Sequence, residues 1–271
     1  MSVFFISGID TDIGKTYATG ALAQALLQPT QQAPQNGSNS TSTSVITQKL
    51  VQTGCEGISE DIIRHRDMMG TPLQAVDHQG LTCPYVFKKP ASPHLSSMLE
   101  NRLIDPQVIT QATKQLTDSY DIVLLEGAGG LMVPLTQSLL TIDYVANMGY
   151  PVILVTSGRL GSISHTLLSI EALTQRQIPL HAVIYNQWQP DKHLASEYEP
   201  DNEITDDTKT YLQAYLKQHH PQTYWVDLPY VAGSITEDLE SIKSSTMANM
   251  AEQMKQYIAA ALTSDLFSNN K

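Results

Sequence analysis

A glycine, five intervening residues and then Gly-Lys-Thr make up the stretch GIDTDIGKT at residues 8–16. Gly8 allows a turn, Gly14 opens a helix, and successive backbone N–H groups at that helix start can face an anion. Lys15 then reaches the β- and γ-phosphates of a nucleoside triphosphate, and Thr16 places its hydroxyl on Mg2+. The usual phosphate-binding loop is one residue shorter, so this is a long variant. An ordinary glycine turn entering a helix is the bland alternative. Strand, loop, lysine, threonine and helix nevertheless follow in the order that phosphate binding requires.

Three further residues could join this chemistry. Glu126 closes the apolar run IVLLE and is followed by GAGG, which presents a carboxylate at the same sheet edge as the loop and suits a metal. A strand-end acid that merely caps or stays solvated is the other reading. Asp61, at the start of SEDIIRHRDMMG, offers a second carboxylate, or simply an anion for the helix N-terminus. Lys49 ends the run VITQK and adds a cation where charge develops in phosphoryl transfer, unless it is an exposed strand-end lysine.

These residues need a scaffold that brings strand ends together. Residues 2–8 form an apolar strand, and the segment after Gly14 reads as a helix through Leu27. SVITQKLVQTG at 44–54 reads as one strand ending in a turn, followed by a short helix at 59–70 with Ser59 as its cap. CPYVFKKPASPH at 83–94 is punctuated by prolines and reads as an irregular active-site or docking loop. Helices near 106–119, 141–149, 161–177, 204–218 and 237–262 alternate with strands in YDIVLLEGAGG, YPVILVTSG, HAVIYNQW and QTYWVDLPY. The central runs are apolar on both faces, as in parallel sheets. The pattern predicts one α/β domain over 1–271, a doubly wound and mostly parallel sheet with helices on both faces and ligands at the carboxyl ends of the strands. Between them, residues 28–44 are almost all Gln, Asn, Ser, Thr, Pro and Gly, with too few apolar side chains to offset ordering, and predict a mobile surface loop.

Composition narrows the partners. Lys and Arg number 16 against 27 Asp and Glu, a net charge of −11 that disfavours nucleic acid and anionic lipid and leaves a small ligand in a locally positive site. Cys55 and Cys83 form no CxxC pair and are expected as free thiols in a reducing, cytoplasmic setting. The N-terminal apolar run is too short for a signal core or a membrane span.

Taken together, GIDTDIGKT, KLVQTG, PYVFKKPASPH, EGAGG, VTSGRLGSISH and VIYNQW resemble the motifs of the dethiobiotin synthetase family, in order from residue 8 to about 188. The family's fold is a P-loop NTPase-like sheet, and the long loop is its own form. Leu50 stands where the family usually has proline, and the 28–44 insert is longer than expected. The resemblance implies closure of a ureido ring on 7,8-diaminopelargonate with CO2 or bicarbonate, at the expense of ATP and with Mg2+. Carried over, Thr16, Asp61 and Glu126 are the Mg2+ ligands. Nucleotide contacts fall on Gly8, Asp12, Ile13, Gly14, Lys15, Thr16, Tyr17, Asp61, Glu126, Gly127, Gly129, Asn186 and Pro229. Lys15, Lys49 and Thr11 are catalytic, and Thr11, Lys49, Thr53, Gly161, Ser162 and Tyr198 bind substrate. The carboxylate of the diamine suits the helix N-terminus at Gly161 and Ser162, although plain capping explains that spacing equally well. Asn186 resembles the residue that reads adenine, while an amide at a strand end also serves as a turn former. Family members are homodimers with the substrate at the subunit boundary, where Tyr198 of the neighbouring chain contributes.

Other chemistry-bearing residues read as structural. His94 is first a loop or cap residue, Cys55 lacks a histidine partner, and His219 and His220 look like a solvated helix end. A nucleotide-switched partition-type protein would share the strand, loop and helix. It typically carries a second lysine early in the loop, where this chain has Asp10 and Thr11.

Overall fold

The computed structural model describes residues 2–27, 43–187, 202–228, 248–252 and 254–255. Residues 28–42 of the polar insert, most of the helix expected at 237–262, and Tyr198 and Pro229 lie outside the described residues.

The apolar runs become strands β1 (Ser2–Gly8), β2 (Val45–Lys49), β5 (Ile122–Gly130), β6 (Val152–Ser157), β7 (Leu180–Asn186) and β8 (Tyr224–Leu228). They form one sheet in the order β2-β5-β1-β6-β7-β8, and every pairing is parallel. The helices that return the chain are α1 (Lys15–Leu27), α2 (Glu60–Met69), α5 (Pro106–Thr117), α6 (Thr141–Met148), α7 (Ser162–Gln175) and α8 (Asn202–His219).

Alternation along the buried strands sorts the core into two layers. Phe4 and Ile6 of β1 and Leu124 of β5 pack with Ala18, Leu22 and Leu26 of α1 and Met68 of α2. Phe5, Leu125 and Leu154 point the other way, against Ile109, Ile142, Val145, Ile170 and Leu173 of α5, α6 and α7. Helices therefore cover both faces, as the sequence pattern requires. On the α1 side, Gly20 is needed for close approach, since a Cβ there would lie 2.6 Å from the Met68 sulfur. That contact seats α2 beside the phosphate loop.

Two expectations need correction. The run at 44–54 is not one strand. It leaves the main sheet after Lys49, and Gln52–Thr53 (β3) pairs instead with Val86–Phe87 (β4) in a small separate sheet. Leu50 still donates to the Glu126 carbonyl at 2.8 Å, whereas Gln52 donates to Tyr85 at 2.8 Å, so the main-chain partner changes within two residues. The stretch 83–94 is likewise not wholly irregular. It holds β4 and starts the helix α4 (Pro93–Leu99), with Pro93 in its first turn. Another short helix, α3 (Ala75–His78), precedes it.

α2 is fixed from below by a buried ion pair. Arg66 donates to both Asp77 carboxylate oxygens, at 3.0 and 2.8 Å, and to the Thr47 hydroxyl at 2.8 Å. Burial alone would raise the Asp77 carboxyl, but Arg66 outweighs it and holds the group below its usual range. Such a bidentate pair clamps α2 to β2 and α3. No described helix is long and apolar enough to cross a membrane.

Candidate functional site

The carboxyl ends of β1, β2 and β5 open into a cavity of about 760 Å3 lined by the phosphate loop, the first turns of α1 and α2, and residues 51–53. It lies at the strand edge where parallel sheets bind ligands.

The loop has the strained backbone that anion cradles use. Asp12 and Gly14 have φ of 52° and 94°, and Gly14 is the position where a side chain would run into the Asn186 amide. Asn186, at the end of β7, donates through Nδ2 to the Ile13 carbonyl at 3.0 Å and thereby supports the loop from behind. Lys15 folds over the loop and donates to the Asp10 carbonyl at 2.9 Å. Burial first, and then the Lys49 ammonium, lower the Lys15 pKa from 10.5 to about 8.

This lowering makes a testable statement about ligand charge. An ordinary lysine is fully charged at pH 8, whereas burial and Lys49 already disfavour the charged form of Lys15 near that pH. A triphosphate restores the cation, so nucleotide binding near pH 8 takes up a proton, and affinity falls as pH rises above that value. Calorimetry in two buffers of different ionisation enthalpy measures the uptake. Identical heats in both buffers near pH 8 would contradict it.

Beside the loop, three oxygens converge. The Thr16 hydroxyl lies 3.1 Å from Asp61 Oδ1 and 3.3 Å from Glu126 Oε1. Lys49 is buried between the same acids, with Nζ 2.5 Å from Asp61 Oδ2 and 2.7 Å from Glu126 Oε1, and it also donates to the Gly127 carbonyl at 3.1 Å. Burial works against the Lys49 charge, but the two carboxylates override it and raise its pKa above the ordinary lysine value. Burial would likewise raise Glu126, yet Lys49 and His65 hold it well below the usual carboxylate range. Lys49 is thus no exposed strand-end lysine, and Glu126 no solvated acid.

A hydroxyl and two carboxylates form a hard oxygen donor set, which suits Mg2+ and not a soft metal. Among the described residues no group of three or more His, Cys, Asp or Glu side chains could hold a metal alone. A cation at this corner would complete its shell with phosphate oxygens and water, the usual habit of Mg2+. Asp61 also lies in the first turn of α2, which Ser59 caps by accepting from the Ile62 N–H at 3.3 Å, so the helix-terminus reading holds alongside its place at this corner.

The remaining expected residues divide by position. Thr11, Asp12, Gly14, Lys15, Thr16, Tyr17, Lys49, Thr53, Asp61, Glu126, Gly129 and Asn186 line the cavity. Gly8, Ile13 and Gly127 lie beneath its surface: Ile13 is buried, and a Cβ on Gly127 would strike the Phe5 ring at 2.7 Å. Gly161 and Ser162 open α7 away from that lining, with Gly161 at φ 92°. The structure ties this helix start to the loop, because Arg159 pairs with Asp10 at 2.6 Å. The stretch 83–94 is not part of the cavity wall. Its Cys83, Pro84 and Val86 line a separate depression of about 440 Å3. His94 belongs to α4, where its Nδ1 lies 3.1 Å from the Ser92 hydroxyl.

Sequence reasoning overlooked His65, whose Nε2 lies 2.9 Å from Glu126 Oε2. It also overlooked Arg64, which lies over the Tyr17 ring at 6.0 Å and joins the outer wall. The signal for His65 was its spacing: it is four residues after Asp61, on the same face of α2.

Comparison with known proteins bears on what this corner does. A family profile described as an AAA domain matches residues 2–220. An ATP-dependent dethiobiotin synthetase, BioD 2, of Pasteurella multocida is 49% identical over 221 residues, which cover 82% of this chain and 94% of that protein. The corresponding BioD of Chlorobaculum tepidum is 48% identical over 217 residues, covering 80% and 82% of the two chains. A ParA family ATPase from Chlorobium tepidum superposes with a TM-score of 0.49 at 14% identity over 92% of this chain and 98% of its own, a likeness too distant to bear on chemistry.

Proposed function

The chain belongs to the dethiobiotin synthetase family, and from that premise we propose how its residues divide the work of ATP-dependent ring closure. The reaction joins 7,8-diaminopelargonate and CO2 as a carbamate. The carbamate oxygen attacks the γ-phosphorus of ATP, and the second amine then closes on the mixed anhydride and expels phosphate. The protein forms no covalent link here, so its task is to position reactants and neutralise charge.

The phosphate loop around Gly14 and Lys15 holds the triphosphate, with Asn186 and Pro229 on the side of the base. Thr16, Asp61 and Glu126 hold Mg2+, which when bound draws charge from the phosphate oxygens. Lys49, fixed by Asp61 and Glu126, directs its cation at the carbamate and the transferring phosphoryl group. Thr11 and Thr53 orient the diamine. Its distant carboxylate is received at the start of α7 by the N–H groups of Gly161 and Ser162. A second copy of the chain completes this end through Tyr198. The large exposed side chains Leu160 and Leu168, at and along α7, support burial of that region between two copies. We place the protein in the cytoplasm as one domain, in keeping with free thiols at Cys55 and Cys83.

The observation that carries this reading is the convergence of Lys15, Thr16, Lys49, Asp61 and Glu126 on one cavity. Purified protein should release phosphate from ATP only when the diamine, bicarbonate and Mg2+ are all present. Release that persists without the diamine would point to a nucleotide-switched protein of another kind.

A further inference from the structure

His65 is fully buried on α2, and the Oε2 of the equally buried Glu126 is its hydrogen-bond partner at 2.9 Å. Because a carboxylate oxygen accepts, Nε2 donates. The other ring nitrogen, Nδ1, is buried with no hydrogen-bond partner among the described residues. A half-satisfied polar ring in a core is costly, and an apolar residue would fill that space without the cost. Among the described residues, the ring's one polar contact is therefore the one it makes to Glu126.

That contact divides the two oxygens of Glu126. Oε1 faces the cavity corner, 3.3 Å from the Thr16 hydroxyl and 2.7 Å from Lys49 Nζ, while Oε2 is held by His65. We propose that His65 is a positioning residue that leaves Glu126 a single coordinating oxygen and so favours Mg2+ over Ca2+. The reasoning is geometric. Mg2+ demands near-octahedral, one-oxygen ligation, whereas Ca2+ takes more ligands at longer range and readily uses both oxygens of one carboxylate. A carboxylate with one oxygen committed elsewhere meets the first requirement and not the second. Partners of metal ligands commonly act in this orienting way. The inference rests on the Mg2+ reading above, and its test separates the two.

ATP is titrated calorimetrically into His65→Leu, His65→Gln and the unchanged chain, with Mg2+, with Ca2+ and with neither, in the absence of diamine. Leucine removes the donor at similar size, and glutamine restores an N–H at comparable reach. Melting curves verify that each variant is folded. The expected result is that His65→Leu loses about 10- to 100-fold of the Mg2+-assisted affinity while its Ca2+-assisted affinity holds or improves, and that His65→Gln recovers most of the preference. A folded His65→Leu variant with an unchanged Mg2+ to Ca2+ ratio overturns the proposal, as does a His65→Gln variant no better than His65→Leu. If the unchanged chain shows no gain from either cation, the Mg2+ reading itself fails, and the inference falls with it.

Discussion

Lys15→Ala lowers turnover by about 10³-fold while leaving the fold at least as stable at neutral pH. The two halves of this expectation come from the same observation. The Lys15 ammonium is buried near Lys49, burial and Lys49 lower its pKa to about 8, and it donates to the Asp10 carbonyl. Its ordinary value is 10.5, so below pH 8 the folded chain bears the cost of keeping the group charged, a cost the unfolded chain does not have. Removing the ammonium relieves that cost across the neutral range. The stability gain should shrink as pH rises through 8 towards 10.5, where the unfolded lysine also loses its proton. In the reaction proposed above the same cation would lie against phosphate oxygens whose charge grows during transfer, which is where its loss would be felt. A melting temperature that holds while kcat falls separates this from simple unfolding. A variant that retains most of its kcat would remove Lys15 from the chemistry.

Glu126→Gln should be damaging in both respects. The carboxylate is buried within β5, accepts from Lys49 and His65 and contacts Thr16. An amide keeps the shape and loses the charge, so Lys49 keeps only Asp61 as a close anion. Leaving one buried charge under-compensated typically costs about 3–5 kcal/mol. Activity should fall by at least about 10²-fold as well, because the amide is a poor partner for a hard cation. The pH dependence gives an independent readout. The folded pKa of Glu126 lies well below its ordinary 4.5, so its contribution to stability is complete above that value and is lost progressively as acid protonates the folded group. Acid unfolding of the parent chain should therefore be steeper below about pH 4.5 than that of Glu126→Gln. Superimposable acid profiles would show that the Lys49 and His65 contacts do not set the ionisation of this residue.

The sequence was legible where function and fold are local. Gly14, Lys15 and Thr16 lie where the loop after β1 enters α1, and their placement depends on neighbours close in sequence. Lys49 ends β2 and Glu126 closes the apolar run of β5, whose strand continues to Gly130, and parallel pairing places Lys49 opposite Glu126 in the β2–β5 register. Both positions follow from hydrophobic pattern and sheet class. What stayed hidden depends on contacts distant in sequence. His65 meets Glu126 across 61 positions, and Arg159 meets Asp10 across 149. No local pattern encodes either contact, although the four-residue spacing places His65 on the same face of α2 as Asp61. The break between β2 and β3 was hidden for a related reason. LVQT is as strand-like as the residues before it, and what ends the ladder is the arrival of Val86 and Phe87 as alternative partners. Tertiary context overrides propensity there.

The central claim is that the loop and the oxygen corner of Thr16, Asp61 and Glu126 together hold a triphosphate with its divalent ion. The most direct measurement is the affinity for ATP in the presence and absence of Mg2+, on folded protein without diamine. The account predicts binding at least about tenfold tighter with Mg2+, and loss of that gain in Glu126→Gln. Equal affinity with and without the ion, on material that melts cooperatively, would contradict it.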